Sequence, residues 1–192
     1  MGQRLAEEAA RLMIEHGIAD FGLAKRKAAD KLALSRYGVL PSNAQIQACL
    51  AERQRIFEPQ VHQDRVAFLR GLAADLMASL AGFNPRLVGA VLEGTATASS
   101  GIELHLFCDS AEQVAAALES RGIRFGDCER RYRFASRKTP SIVPGFKFDI
   151  DGVRVWGMVF PEKGLREAPL GPVDRRPMQR APRTRVLSLS AA

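Results

Sequence analysis

The chain has 192 residues, 46% hydrophobic and 26% charged, with a formal net charge of +7. That is enough for one substantial core, or for one core plus a small appended domain. No apolar run approaches the roughly 20 residues a membrane span needs, and the amphipathic start MGQRLAEEAARLM lacks the apolar centre of a secretion signal. A cytoplasmic protein with no membrane partner is expected, and the basic charge favours anionic partners. Cys49, Cys108 and Cys128 are odd in number and show no paired spacing, so they predict neither a disulfide framework nor a zinc site.

Four helices are predicted first. Residues 3 to 16 carry Leu5, Ala9, Leu12 and Met13 on one stripe, with Gly17 as a stop. A second helix runs from about 20 to 34 behind the N-cap Asp20. Ser42 or Asn43 caps a third, to about Phe57. After Pro59 a long helix reaches about Leu80, ended by Gly82.

The character changes after Asn84-Pro85. Alternating apolar positions predict strands at 86–93 and 102–108, then a helix at 110–121 capped by Ser110 and stopped by Gly122. Further strands are predicted at about 126–134, 145–150 and 153–160, with Asp151-Gly152 as a hairpin turn between the last two. No periodicity survives beyond Pro161, so that stretch reads as a tail that wraps the core or stays mobile. The predicted organisation is α+β: a helical segment over 1–84, a small mixed-sheet domain over 85–160, and an irregular basic tail over 161–192.

The stretch VGAVLEGTATASSGIELHLFCD, residues 88 to 109, joins a strand, a Gly-containing turn and a second strand that carries Glu103 and His105 on one face. It resembles the core of the nucleotidyltransferase superfamily, in which a strand ends in Gly-Ser and its neighbour carries an Asp-x-Asp pair. The resemblance covers about 75 residues, from Leu87 to Pro161. It implies that Gly94 and Thr95, with Ser100, approach the phosphates of a nucleoside triphosphate, and that Glu103 is the remaining catalytic acid and a ligand of Mg2+. Gly101 stands where the first Asp belongs, and no acid lies between Val153 and Phe160 where the third is expected. The implied activity is weak or absent transfer of a nucleoside monophosphate to an unspecified acceptor.

Other residues have their own readings. His105 lies two positions beyond Glu103, so the pair could share a metal ligand; the plainer reading is a half-exposed face with polar residues outward. Asp149 and Asp151 read as turn residues, and Asp109 as a strand exit. Alternation puts Arg131 and Arg133 on one face of their strand and Tyr132 and Phe134 on the other. Finally, Lys25, Arg26, Lys27 and Lys31, with Arg36 at the exit, make a basic helix ahead of a turn and another helix. That pattern suits a nucleic-acid-binding module and gives a second reading, a non-catalytic nucleic-acid-binding or regulatory protein that uses the fold as a scaffold.

Overall fold

The computed structural model describes residues 2–33, 40–57 and 59–190. Arg36 and the expected end of the second helix at Leu34 lie outside them. Among the described residues are seven α-helices and one five-stranded mixed sheet, an α+β architecture with a helical N-terminal segment. The chain forms two compact units. One comprises Met1–Val66, Thr95–Ser100 and Pro172–Asp174; the other comprises Ala67–Gly94, Gly101–Gly171 and Arg175–Ala192. Helix α4 (Pro59–Ser79) contributes to both.

In the first unit, α2 (Phe21–Lys31) and α3 (Asn43–Phe57) both pack on α1 (Gly2–Glu15). The buried cluster combines Leu5, Ala6, Ala9, Ala10, Leu12 and Met13 of α1 with Ala24, Ala28 and Ala29 of α2 and Ile46 and Leu50 of α3. The caps are those the residue types favour. Asp20 accepts a hydrogen bond from the Leu23 amide, 2.6 Å. Ser42 and Gln45 form a reciprocal capping box: the Gln45 amide donates to the Ser42 hydroxyl (3.1 Å) and the Ser42 amide to the Gln45 side chain (2.8 Å).

In the second unit the strands are β1 (Arg86–Val88), β2 (Ile102–Phe107), β3 (Phe125–Tyr132), β4 (Ser141–Ile150) and β5 (Val153–Phe160), in sheet order β1-β2-β5-β4-β3. β1 and β2 are adjacent and antiparallel, and β5 runs parallel to β2. One face buries Ile102, Leu104, Leu106, Val155, Phe146 and Phe148; the helix α6 (Ala111–Glu119) adds buried Val114 and Leu118. Asp151 and Gly152 both have positive φ (49° and 75°), as the tight β4–β5 hairpin requires.

Three local expectations are corrected, and the stretch after Pro161 takes the first of its two expected forms, wrapping the core. The strand expected at 86–93 is only three residues long, and Gly89–Glu93 forms the short helix α5. Gly89 sits at φ +70°, which breaks the extended run, and Val91 and Leu92 are buried in the helical turn that follows. The long helix ends at Ser79, Gly82 lies inside a 3-10 turn, and Asn84 (φ 46°) takes the left-handed position instead. Ser110 occupies the N-cap position of α6, but its hydroxyl donates to Glu112 (2.5 Å) and leaves the helix amides alone. The stretch after Pro161 is more ordered than its composition suggests. It holds a 3-10 turn at Glu162–Leu165, pairs Ala181 with Leu87 on the free edge of β1, and ends in α7 (Arg183–Ser190) with Val186 buried.

Candidate functional site

The site grows from the face of β2 that carries Glu103, His105 and Phe107. The register of the parallel pair sets Trp156, Met158 and Phe160 of β5 beside them in turn. Next along, Gly145 of β4 pairs with Met158 and Cys128 of β3 with Gly145. A Cβ on Gly145 would lie 2.5 Å from the Gly157 carbonyl oxygen, so this spot stays bare. Across it come Arg130 and Tyr132, which share the inward face of β3. Arg130 Nη1 donates to Glu103 (2.7 Å), and its guanidinium stacks on Trp156, 4.9 Å from the ring centroid. The Tyr132 ring meets His105 edge-on at 5.5 Å and Phe160 at 5.4 Å. Arg130, Tyr132 and Trp156 therefore stand together, so charge and stacking do share a surface.

The expected half-exposed face is mostly closed. His105 is fully buried, and only Glu103 on this face of β2 keeps some solvent access. His105 Nδ1 accepts a hydrogen bond from Arg180 Nε (3.0 Å). Burial, with Arg180 and Arg130 nearby, lowers its pKa to about 3, so the ring is neutral at physiological pH. Burial also pushes the Tyr132 phenol up to about 12 and brings Arg180 down to about 10. Arg180 stacks on Phe107 and Phe160 (5.0 and 4.9 Å), and its Nη1 donates to the carbonyls of Gly164 (2.7 Å) and Glu167 (3.2 Å).

Gly101 decides what the Asp-x-Asp position can hold. A Cβ there would lie 2.3 Å from the Arg154 carbonyl oxygen and 2.6 Å from the Trp156 ring. No side chain fits, so a carboxylate cannot be placed beside Glu103 by substitution at this position. Glu103 itself is engaged by Arg130 and lies against Gly89, where α5 begins. These residues do not fit a magnesium site: the single carboxylate is already paired with the Arg130 guanidinium. Among the described residues no group of three or more His, Cys, Asp or Glu side chains could hold a metal ion.

The residues expected to bind a nucleotide are dispersed between the units. Gly94 belongs with Glu103 and His105, whereas Thr95 and Ser100 belong to the helical unit. Gly94 is the left-handed C-cap of α5, and Arg70 donates to the Val91 (3.1 Å) and Leu92 (2.9 Å) carbonyls at that helix end. The Ser100 hydroxyl accepts from the Thr97 amide (2.8 Å) and closes a turn. Of the basic residues on α2, Arg26, Lys27 and Lys31 are exposed, Lys25 is half-buried, and Lys31 pairs with Glu8 at 3.4 Å.

No family model, no curated protein and no solved structure matches this chain.

Arg130, Tyr132 and Arg180 were missing from the sequence-derived site. Alternation on β3 could have placed Arg130 with Tyr132. Nothing in the sequence links Arg180 to His105, 75 residues earlier.

Proposed function

We propose that this chain is a nucleotidyltransferase-like scaffold without transferase activity, whose cationic β2–β5 face recognises an anionic ligand instead of holding catalytic metal ions. The observation that carries this reading is the packing at Gly101, where 2.3 Å to the Arg154 carbonyl leaves no room for an acid. Arg130 supports it, because the ion pair at 2.7 Å commits the one acid of the expected pair to a protein partner. Nucleotidyl transfer concentrates negative charge on phosphoryl oxygens, and magnesium held by several carboxylates is the usual means of stabilising it. The test is incubation of the full chain with labelled ATP, GTP, CTP or UTP and magnesium. No label should transfer to protein, nucleic acid or small acceptors, and Glu103→Gln should leave that baseline unchanged. Robust transfer abolished by Glu103→Gln would overturn the proposal.

A second reading, nucleic-acid binding, is favoured by the exposed Arg26, Lys27 and Lys31 on one helix. Retention of labelled DNA or RNA that weakens steeply with salt, and less steeply after Lys27→Ala and Lys31→Ala, would support it. No retention at low salt would remove it.

A further inference from the structure

The buried centre of the sheet face contains hydrogen-bonding groups with nothing to bond to. Arginine carries donors only, so the nitrogen of His105 that accepts from Arg180 is the unprotonated one, and the neutral ring carries its proton on Nε2. That Nε2–H is buried and finds no partner among the described residues, and neither does Arg180 Nη2; Tyr132 Oη has only Arg130 beside it, itself a donor, so its own O–H lacks an acceptor. Nη2 lies on the same edge of the planar guanidinium fork as Nε, so it faces the side on which His105 lies. The three groups belong to one cluster, because His105, Tyr132 and Phe160 are in ring contact at 4.4 to 5.5 Å and Arg180 covers Phe160.

All three can donate, and none meets an acceptor among the described residues. Native interiors seldom leave such groups unpaired without a water, ion or ligand to complete them. The charge is also uncompensated. Glu103 is taken by Arg130, whereas the hydrogen bonds of Arg180 go to neutral acceptors: the His105 ring and two backbone carbonyls. A water molecule could satisfy donors, but it would leave that charge unanswered.

The nearest groove, of about 380 Å³, is lined by Phe134, Val143, Phe160, Gly164 and Glu167. It does not reach the three donors: Phe160 and Gly164, which Arg180 covers and holds, stand between it and Arg180. Arg137, Lys163 and Arg166 also line this groove, outnumbering the one carboxylate there, Glu167, which accepts from the Ser136 amide at 3.2 Å.

We propose that His105, Tyr132 and Arg180 form the inner wall of an oxyanion-binding pocket, which takes the phosphoryl or carboxylate end of a small anionic metabolite past Phe160 and Gly164 from the groove bearing Arg137, Lys163 and Arg166. The pocket deepens the anionic-ligand part of the scaffold reading and rests on it, but requires neither a nucleotide nor a metal, so a failed anion titration and a positive transfer assay overturn different claims.

The experiment titrates the full chain with inorganic phosphate and, separately, with acetate at constant ionic strength in sodium chloride. Thermal shift and the ring 15N–1H signals of histidine are followed. We expect a saturable rise in Tm with a matching shift of the His105 Nε2–H signal. Saturation by phosphate alone assigns a phosphoryl ligand, and by acetate alone a carboxylate. Tyr132→Phe removes one donor and keeps the ring, so it should weaken binding about tenfold while the Nε2–H tautomer persists. The surface pair Lys163→Ala and Arg166→Ala, which leaves the core untouched, should weaken binding several-fold even if Tyr132→Phe folds poorly. No saturable response to either anion would overturn the proposal. So would equal responses in wild type and variants, or a bound water at Nε2–H that ignores added anion.

Discussion

Single residues set the chemistry of the β2–β5 face, and His105 shows it best. Its folded pKa of about 3 lies below the ordinary 6.5, with Arg180, Arg130, Tyr132 and Glu103 as the ionisable groups around it. The unfolded chain therefore binds a proton between pH 6.5 and 3 that the folded chain refuses, and stability falls as pH drops through that window. At the limiting slope of about 1.4 kcal/mol per pH unit, roughly 2 kcal/mol should be lost between pH 6.5 and 5. Urea unfolding at both pH values checks this, and His105→Phe should flatten the dependence. Gly101 makes the opposite point, that an absent side chain can be the requirement. Gly101→Ala forces a methyl into space occupied by the Arg154 carbonyl. We expect a loss of about 2 kcal/mol or more, as for other overpacked positions, measured by denaturant midpoint. Wild-type stability in that variant would show that the strand can move aside.

At the scale of elements, the helical unit depends on small residues and one charge network. The buried residues of α2 are all alanines, Ala24, Ala28 and Ala29, so a larger side chain at any of them would overpack this core. Glu8 stands between α1 and α2, hydrogen-bonded by Arg11 (2.7 and 2.9 Å) and facing Lys31, and the Arg11 contact chiefly lowers its pKa to about 2. A depressed carboxylate stabilises the fold above its unfolded pKa near 4.5, and that contribution is lost as pH falls towards 2. Glu8→Gln should cost about 1 kcal/mol at pH 7, the range for partly exposed pairs, and nothing at pH 2. Thermal unfolding of both proteins across this range gives the answer. A constant difference at all pH values would point to packing instead of charge.

For the molecule as a whole, the stretch after Pro161 does more than its composition suggests. Leu87 and Ala181 exchange both backbone hydrogen bonds at 2.9 Å, which covers the edge of β1. Arg183 donates to the Ala74 carbonyl, Leu189 accepts from Arg70, and Val186 is fully buried. Ending the chain at Met178 removes all of these together with Arg180. It should destabilise the sheet unit by about 3 kcal/mol or more, through lost burial and an exposed strand edge. Hydrogen exchange would locate the damage: the Leu87 amide should lose its protection first. A truncated chain with unchanged exchange at Leu87 would mean that the tail adds nothing to β1.

Much of this was legible in the residues. Apolar stripes and caps gave α1, α3 and the start of α4, because those signals are local and each helix satisfies its own backbone. Asp20, Ser42 with Gln45, and Asp151-Gly152 act within three residues of themselves, so their roles do not await the fold. Alternation gave β2 and β5, and the α+β class followed from their order. Other features depended on distant neighbours. Gly89 turned an apparent strand into β1 and α5, since a left-handed glycine outweighed a weak alternation. The face of Glu103 and His105 read as solvent-facing because periodicity reports that a strand has two sides, and not what covers each. What covers this one is Arg130 and Tyr132, reaching over bare Gly145, and Arg180, arriving from the far end of the chain. The residues alone pointed to Glu103 and His105; only tertiary packing brought Arg130, Tyr132 and Arg180 to them as donors and left no room for a second acid.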